Sequence, residues 1–368
     1  MPHRYYLISG EASGDLHGGR LINAIKERDP QAVFRAWGGE NMEQAGAEIV
    51  THYREMAFMG FIEVIRNIRF ILGLMKKAKK DLLEFKPDVL VLIDYPGFNM
   101  RMAEFAKKNN IKVVYYIAPQ VWAWKAHRVE KLKKTVDALL CILPFEKDFF
   151  KNRGMDVEFV GHPLLDHVEW LEDLPAEENK QIALIPGSRK QEISNILPIM
   201  LATAAQMPDY QFNIAAAPSQ NTALYQTLIG DLTNVHIRKD GVKSILQNSN
   251  AALVTSGTAT LETALVGIPQ IVCYHTSWSS YQLAKFFIKV PFISLVNLIA
   301  NREVVPEMIQ NALSPEGLKQ HLLDLMHGEA GDEQRKSYLE IREKLGRGGA
   351  SHRAADAILK LLNPDVDA

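Results

Sequence analysis

The stretch from Leu253 to Tyr274 constrains the fold of this chain more than any other. An apolar run ends at Ser256 and Gly257, a helical segment begins at Thr258, and Gly267 breaks the helix before a second apolar run. This order predicts a strand, a turn of small residues, a helix and a second strand, which together form one βαβ unit. A chain with such a unit is expected to build a parallel sheet with helices on its faces.

The turn of this unit has the features of a diphosphate site. Ser256, Gly257 and Thr258 would present backbone N–H groups at the positive end of a helix dipole, and Gly257 has no side chain to exclude a phosphate. Glu262, about one turn into the helix, could accept hydrogen bonds from sugar hydroxyls. An ordinary helix start, with Ser256 or Thr258 as the cap and Glu262 in solvent, explains the same residues. Both interpretations stay open at this point.

The length of 368 residues exceeds the usual size of one hydrophobic core, which predicts two domains. The net charge of −1 gives no general attraction to nucleic acid, so no nucleic-acid partner is expected. We expect a cytoplasmic protein, because no purely apolar run reaches about 18 residues and the polar N-terminus does not resemble a signal peptide. Cys141 and Cys273 lie in apolar, strand-like runs and are expected to be buried thiols.

A glycine-rich segment follows the first predicted strand, Arg4–Ser9. Residues 9–19 read SGEASGDLHGG, and the helix is predicted to begin only afterwards, at Arg20. The glycine spacing is not that of the GxGxxG fingerprint, so we do not predict NAD. The segment is interpreted either as a loop that lets a bulky substrate approach the backbone, with Glu11 in contact, or as a tight turn.

Two further predicted strands of the first half lead into candidate site residues. The apolar run PDVLVLI, residues 87–93, ends at Asp94. Ligands of open parallel sheets lie at the carboxyl ends of the strands, so Asp94 is either a catalytic base or the organiser of the turn before Pro96. The next strand is followed by APQVWAWKAHR, residues 118–128, in which Trp122 either lines an acceptor pocket near a phosphate or fills the core.

Residues 56–80 predict a helix that is both apolar and basic. Its apolar residues follow helical spacing and its charged residues are predominantly positive. Such a helix either packs on the sheet or lies on an anionic membrane surface. The apolar members are Phe61, Ile62, Ile65, Ile68, Ile71, Leu72 and Met75. A second apolar and basic segment spans residues 281–292.

The second half repeats the order of strand, glycine turn and helix. The predicted strand Ile182–Ile185 leads into Gly187 and Ser188, and the guanidinium of Arg189 is placed to pair with a diphosphate. The charged segment of residues 165–180 is predicted to link the two halves.

Taken together, the motifs resemble the lipid A disaccharide synthase family, which are inverting glycosyltransferases of the GT-B type. SGTATLE alone would fit several GT-B enzymes, whereas the ordered set is specific and covers nearly the whole chain. The segments are SGEASGD at 9–15, MGFIEV at 59–64, IDYPGFN at 93–99, PQVWAW at 119–124, LPFE at 143–146, VGHPLLD at 160–166, PGSR at 186–189, SGTATLE at 256–262 and SLVNLIANREVVPE at 294–307.

This resemblance implies an α/β fold of two Rossmann-like domains whose parallel sheets face a central cleft. We expect the domains at residues 1–167 and 181–345, with a helix in residues 346–368 that crosses back to the first. The implied reaction transfers 2,3-diacylglucosamine from its UDP derivative to the 6-hydroxyl of 2,3-diacylglucosamine 1-phosphate. The product is the β-1,6 disaccharide, and neither a metal nor a cofactor is expected.

By similarity to the family, Asp94 is the candidate base and Glu262 holds the ribose. Arg189 and the N–H groups of residues 256–258 hold the diphosphate. Many family members carry a second acid where this chain has Gly97, which leaves Asp94 as the only carboxylate of its motif. The remaining expected catalytic or substrate-binding residues are Glu11, Asn297, Gln310, Ser188, Asn99 and Trp122.

Because both implied substrates carry acyl chains, the resemblance favours membrane docking for residues 56–80, with the protein bound peripherally to the inner membrane. A homodimer stays open. One alternative is another GT-B enzyme, such as a UDP-GlcNAc 2-epimerase or a lipid-linked GlcNAc transferase. A second is a non-catalytic module that binds a UDP-sugar or a lipid.

Overall fold

The computed structural model describes residues 2–56, 68–124, 126–277, 281–282 and 290–363. Contacts between residues divide the chain into two compact units: residues 1–166 together with 347–368, and residues 167–346. Each unit is built on its own parallel sheet.

The first unit contains a seven-stranded sheet in the order β3-β2-β1-β4-β5-β6-β7, with all neighbouring strands parallel. Its strands are β1 (Arg4–Ser9), β2 (Val33–Gly38), β3 (Glu48–His52), β4 (Val89–Ile93), β5 (Lys112–Tyr116), β6 (Ala138–Cys141) and β7 (Glu158–Phe159). The helices between them are α1 (Ala12–Lys26), α2 (Glu40–Gln44), α3 (Ile68–Phe85), α4 (Pro96–Lys108), α5 (Val121–Trp124), α6 (Val129–Thr135) and α7 (Pro144–Lys151).

The second unit contains a six-stranded parallel sheet in the order β10-β9-β8-β11-β12-β13. Its strands are β8 (Gln181–Ile185), β9 (Gln211–Ala215), β10 (Val235–Arg238), β11 (Ala251–Thr255), β12 (Gln270–Tyr274) and β13 (Glu307–Ile309). Its helices are α8 (Lys190–Ala205), α9 (Thr222–Ile229), α10 (Val242–Gln247), α11 (Thr258–Val266), α12 (Leu295–Ala300), α13 (Pro315–His327) and α14 (Ala330–Leu345).

Both sheets have the doubly wound strand order of a Rossmann-like fold. The chain starts in the middle of each sheet, adds strands to one side and then continues on the other side. The order reverses between β1 and β4 in the first unit and between β8 and β11 in the second. The predicted α/β class with two Rossmann-like sheets is therefore confirmed.

The packing of β1 shows why these segments form strands. Tyr6 and Ile8 pack in the core beside α3, while Tyr5 and Leu7 pack in the core beside α1. Successive side chains of a strand point to opposite faces, so a strand covered on both faces must be apolar throughout. Cys141, in β6, is buried and free, as is Cys273 in β12, which confirms that prediction.

Helix α1 begins at Ala12, so the prediction that it begins at Arg20 was wrong. Its glycines allow close packing against the segment that contains α2, and do not form a loop. A Cβ atom on Gly18 would lie 1.9 Å from the Met42 side chain, and one on Gly19 would lie 2.7 Å from the carbonyl oxygen of Asn41. Glycine is unfavourable inside a helix by itself, so this tertiary contact outweighs the local preference.

The last described helix, α15 (Ala350–Leu362), belongs to the first unit. Ala354, Ala355 and Ile358 pack in the same core as Leu21 of α1. The carbonyl oxygen of Val160 accepts a 2.8 Å hydrogen bond from Arg353.

Helix α3 covers only part of the apolar and basic segment predicted at residues 56–80, because residues 57–67 lie outside the described chain. The buried face of α3 is formed by Leu74, Met75, Ala78, Leu82 and Phe85. Phe70 and Leu72 are 49% and 55% exposed and therefore lie outside this buried face. Within the described part of the chain, no helix has the length and apolar character needed to cross a membrane.

Candidate active site

The reversal point of the first sheet brings two acidic residues together. Ser9, at the end of β1, pairs with Ile93, at the end of β4. Glu11 follows β1 and Asp94 follows β4, so both emerge at the edge where open α/β sheets bind ligands. The sequence predicts each residue separately as a site candidate, and the strand pairing makes them neighbours.

The Asp94 carboxyl group is closely surrounded by protein, and this environment changes its acidity. The pKa of Asp94 is raised to about 6: burial is the largest cause, the negative charge of Glu11 adds to the rise, and a hydrogen bond with the backbone of Tyr95 opposes it. Low solvation and a nearby like charge both disfavour a carboxylate. A carboxyl group with this pKa is mostly ionised at neutral pH and can accept a proton.

The backbone at Asp94 adopts an unusual conformation. Asp94 and Tyr95 have φ angles of 44° and 48°, in the left-handed region that non-glycine residues rarely adopt. The carbonyl oxygen of Asp94 accepts hydrogen bonds of 2.6 Å from the Tyr115 hydroxyl and 2.8 Å from the Asn99 amide. Asn99 is fully buried and also donates to the carbonyl oxygen of Ile93, so its amide fixes the backbone at the end of β4.

The turn after β1 packs tightly against this strand end. A Cβ atom on Gly10 would lie 2.4 Å from the ring of Tyr95, so only glycine fits without movement. Glu11 follows with extended backbone and precedes the first residue of α1. Asp15, in the same motif, is fully buried and accepts hydrogen bonds from the backbone N–H groups of residues 39, 41 and 42. Asp15 therefore fixes the neighbouring loop.

Trp122 is held by a buried acid that the sequence interpretation did not assign to the site. Its indole N–H donates a 3.0 Å hydrogen bond to Glu146, whose other carboxylate oxygen accepts from the N–H groups of Ile142 and Leu143. The pKa of Glu146 is raised to about 7: burial is the largest cause, its three hydrogen bonds act in the opposite direction, and the charge of Asp94 adds to the rise. The signal in the sequence was the acid of LPFE close after an apolar run, because a carboxylate that is buried at such a position must be hydrogen-bonded. Trp124 and Lys125 lie outside the described side chains.

The reversal point of the second sheet carries the predicted diphosphate loops. Ile185 of β8 pairs with Val254 of β11, so the loop of residues 186–189 and the turn at Ser256 and Gly257 emerge side by side. Gly257 (φ 156°) precedes α11, and no atom lies within 4 Å of the position where its Cβ would be. The start of α11 is therefore open for the close approach of an anion.

At the turn that leads into α11, one residue is hydrogen-bonded within the protein and the next two are exposed. Ser256 donates its hydroxyl to the carbonyl oxygen of Ile293 and its N–H to that of Cys273, whereas Gly257 and Thr258 are exposed. Burial raises the pKa of Glu262, which lies on the same helix.

Arg189 stands at the start of α8 in contact with an acid of the same helix. Its guanidinium lies 2.8 Å from Glu192, and its side chain is 46% exposed. The carbonyl oxygen of Ser188, one residue earlier, accepts a 3.1 Å hydrogen bond from Gln220. Because an exposed ion pair contributes little free energy, a bound anion can replace Glu192 as the partner of Arg189 at little energetic cost.

Asn297 and Gln310 bind backbone groups of their own unit. Asn297 is fully buried, accepts from the N–H groups of Val304 and Val305, and donates to Glu307. Gln310 exchanges two hydrogen bonds with the backbone of Thr276, at 2.8 and 3.0 Å. Both side chains therefore organise loops beside β13. Among the described residues, no group of three His, Cys, Asp or Glu side chains could hold a metal ion.

Solved structures with the same architecture identify the class of fold. CalG4, the calicheamicin glycosyltransferase, has a TM-score of 0.64 at 16% identity, and the match covers 100% of each chain. The UDP-GlcNAc 2-epimerase from Neisseria meningitidis has a TM-score of 0.63 at 14% identity, and the match covers 98% of this chain and 100% of that one. The fold is thus the GT-B fold, two Rossmann-like units in one chain.

Sequence relatives identify the family within that class. The model of the family described as LpxB, lipid-A-disaccharide synthetase, matches residues 5–361. The lipid-A-disaccharide synthase of Trichlorobacter lovleyi is 39% identical over 98% of each chain, and that of Syntrophus aciditrophicus is 39% identical over 97% of each. The chain belongs to the lipid-A-disaccharide synthase family, whose members are glycosyltransferases, and the resemblance of its motifs is confirmed.

Proposed function

We propose that this chain transfers 2,3-diacylglucosamine from UDP-2,3-diacylglucosamine to the 6-hydroxyl of 2,3-diacylglucosamine 1-phosphate. The products are the β-1,6 disaccharide 1-phosphate and UDP, in the biosynthesis of lipid A. Family membership over residues 5–361 supports the reaction class. Identities of 11–16% to UDP-GlcNAc 2-epimerases and other GT-B proteins support the fold alone.

The observation that carries the proposal is the carboxyl group of Asp94 at the reversal point of the first sheet. An inverting transfer needs a base that takes the proton of the acceptor hydroxyl while its oxygen attacks the anomeric carbon. With a pKa of about 6, Asp94 is ionised at pH 7 and remains a stronger base than an ordinary aspartate. Its left-handed backbone, fixed by Tyr115 and Asn99, holds the carboxylate in one direction.

The reaction proceeds in one displacement. The acceptor oxygen forms a bond to the anomeric carbon, and the bond from that carbon to the UDP oxygen breaks with its electron pair. The acceptor proton goes to Asp94, and the configuration at the anomeric carbon is inverted. Glu11, next to Asp94, raises the pKa of the base and shapes the sugar site.

Departure of UDP requires stabilisation of the negative charge that develops on the diphosphate. The open start of α11 at Gly257 and Thr258 supplies N–H groups, and Arg189 supplies a guanidinium that exchanges Glu192 for phosphate oxygens. Glu262 accepts hydrogen bonds from the ribose hydroxyls. Asn297 and Gln310 keep the adjoining loops in place.

The test is to incubate the purified protein with both acylated substrates and measure UDP and disaccharide in the same samples. We expect equal amounts of the two products, unchanged by EDTA. Formation of UDP without disaccharide, or turnover of soluble UDP-GlcNAc in place of the acylated donor, would contradict the proposal.

We further propose that the exposed part of α3 docks on the anionic surface of the inner membrane. Phe70 and Leu72 are largely exposed, and Lys76 is exposed on the same helix. Apolar side chains combined with basic residues are typical of interfacial helices. Residues 57–67 and most of residues 281–292 lie outside the described chain.

This docking is tested by co-sedimentation with anionic vesicles. Replacing Phe70 and Leu72 with Ser should reduce bound protein several-fold, while Leu339→Ser, at an exposed leucine of α14, serves as the control. Equal binding by the wild type, the variant with both Phe70 and Leu72 replaced, and Leu339→Ser would contradict membrane docking through α3.

A further inference from the structure

Strand β12 ends beside the turn that is proposed to hold the diphosphate. Thr255, the last residue of β11, pairs with Cys273 of β12. The N–H group of Ser256 donates a 3.3 Å hydrogen bond to the carbonyl oxygen of Cys273, so the two segments stay in register beyond the end of β11. Two residues after Cys273 comes His275, and two residues after Thr255 comes Gly257. Because neighbouring strands lie about 4.8 Å apart, His275 emerges next to the open start of α11.

The backbone that carries His275 is fixed by the residue that follows it. Gln310 accepts a 2.8 Å hydrogen bond from the N–H group of Thr276 and donates one of 3.0 Å to the carbonyl oxygen of the same residue. His275 therefore lies between this pair of hydrogen bonds and the end of β12. A side chain on a backbone held in this way is preorganised, which lowers the entropic cost of binding a ligand.

The side chain of His275 keeps hydrogen-bonding capacity that the described protein does not use. The residue is half-buried, and its Nδ1 atom is enclosed without a hydrogen-bond partner. On the adjacent strand, Thr255 is only 6% exposed, and its hydroxyl oxygen is also enclosed without a partner. Buried polar atoms without partners are uncommon in folded proteins, and each one needs an explanation. Two of them at adjacent strand ends, next to an open helix start, favour a ligand-binding edge.

The enclosure of Nδ1 determines what His275 can offer to a ligand. A neutral imidazole carries its proton on one of its two nitrogens and accepts through the other. A proton on Nδ1 would be an enclosed donor without an acceptor, which is unfavourable. The proton of the neutral ring is therefore on Nε2, and a protonated ring would donate through Nε2 as well. In either state, the ring offers an N–H donor.

We infer that His275 donates a hydrogen bond from Nε2 to a phosphate oxygen of the UDP-sugar and of the departing UDP. This inference rests on the proposed function, which places the diphosphate at the start of α11. When the bond from the anomeric carbon to the UDP oxygen breaks, its electron pair leaves with UDP and negative charge grows on the diphosphate. Hydrogen bonds to charged oxygens are stronger, so this one strengthens during the reaction. No proton moves from His275, and the acceptor proton goes to Asp94.

The experiment separates binding of the phosphates from binding of the nucleoside. Equilibrium binding of UDP and of uridine is measured by calorimetry in the absence of the acceptor. His275→Leu removes the N–H donor, whereas His275→Gln keeps one. We expect His275→Leu to bind UDP about tenfold to a hundredfold more weakly than the wild type, because a hydrogen bond to a charged group is lost. Uridine binding should be unchanged, and His275→Gln should recover most of the UDP affinity.

Steady-state turnover of both acylated substrates is the second measurement. His275→Leu should raise KM for the donor and also lower kcat, because the lost hydrogen bond is stronger in the transition state than in the bound substrate. KM for the acceptor should not change. His236→Leu is the matched control, because His236 lies on β10 of the same sheet and has Gln211 as its partner at 2.8 Å. It should bind UDP and uridine as the wild type does.

The results separate this inference from the proposed function. Unchanged UDP binding in His275→Leu, or equal losses for UDP and uridine, would overturn the contact with phosphate even if the wild type forms disaccharide. If His275→Leu does not fold, His275→Ala gives the same comparison. A wild type whose UDP binding depends on His275 but which forms no disaccharide would instead contradict the proposed reaction.

Discussion

The hydroxyl group of Tyr115, on β5, donates a 2.6 Å hydrogen bond to the carbonyl oxygen of Asp94, at the end of the neighbouring strand β4. This bond crosses from one strand to the next at the point where the backbone of Asp94 and Tyr95 is left-handed. A conformation that costs free energy persists only when its surroundings fix it. The geometry of the proposed base therefore depends on a residue of the neighbouring strand.

Replacing Tyr115 with Phe should release part of this support. We expect a loss of about 1 kcal/mol in the free energy of unfolding and a several-fold decrease in kcat, because the carboxylate is less well directed. Denaturation in urea and steady-state kinetics measure the two effects. Tyr116→Phe, on the opposite face of the same strand, should leave kcat unchanged. A full kcat in Tyr115→Phe would show that Asn99 alone fixes the turn.

The pH dependence of kcat/KM should report the ionisation of Asp94. Activity is expected to fall as the pH drops through about 6, because the base becomes protonated. Glu11 raises this pKa, so Glu11→Gln should move the acid limb of the profile to lower pH. The profile is measured between about pH 4.5 and 8.5, which brackets this pKa.

Gly97→Asp is a control that should shift the pH dependence of kcat/KM in the opposite direction to Glu11→Gln. No atom lies within 4 Å of the position of a Cβ on Gly97, so the new side chain fits in the first turn of α4. An added negative charge near Asp94 should move the acid limb to higher pH, and Gly97→Ala should leave it in place. Shifts of Glu11→Gln and Gly97→Asp in the same direction would be inconsistent with Asp94 as the titrating group.

Glu146→Gln should disturb Trp122 because an acceptor oxygen is replaced. The two oxygens of Glu146 accept three N–H groups, and the amide of Gln would place a donor against at least one of them. We expect KM for the acceptor to rise several-fold with little change in KM for the donor. Glu158→Gln, at an exposed position of β7, is the control. Equal effects on both substrates would argue against a role of Trp122 in the acceptor pocket.

The stability of the Glu146→Gln variant should also depend on pH in a defined way. The folded-state pKa of Glu146 is raised to about 7, so the folded wild type binds more protons than the unfolded chain between about pH 4.5 and 7. The wild type therefore loses stability as the pH rises through this range, and the variant should lose less.

The two sheets could be predicted from the sequence because buried parallel strands are almost entirely apolar. Segments such as VLVLI in β4 and ALVT in β11 carry that signal without ambiguity. The start of α1 could not be predicted, since Gly18 and Gly19 look like a loop until the packing against Met42 and Asn41 is known.

The positions of the candidate site residues were predictable only where the residues directly follow a strand end. Asp94 and the turn at Gly257 follow from that rule, whereas the pairing of Trp122 with Glu146 joins residues 24 positions apart and depends on tertiary packing. Asn99 and Asn297 carry residue types typical of ligand binding, yet their amides are engaged with backbone groups in the interior. Sequence alone does not distinguish these two uses of an amide.

The most direct measurement is the turnover of Asp94→Asn with both acylated substrates at pH 7. The variant should fold and be more stable at pH 7 by up to about 3 kcal/mol, because it removes a carboxylate whose raised pKa disfavours the charged form. With acceptor binding retained, we expect kcat to fall by about a hundredfold to ten-thousandfold. A folded variant that keeps kcat within about tenfold of the wild type would contradict the assignment of Asp94 as the base.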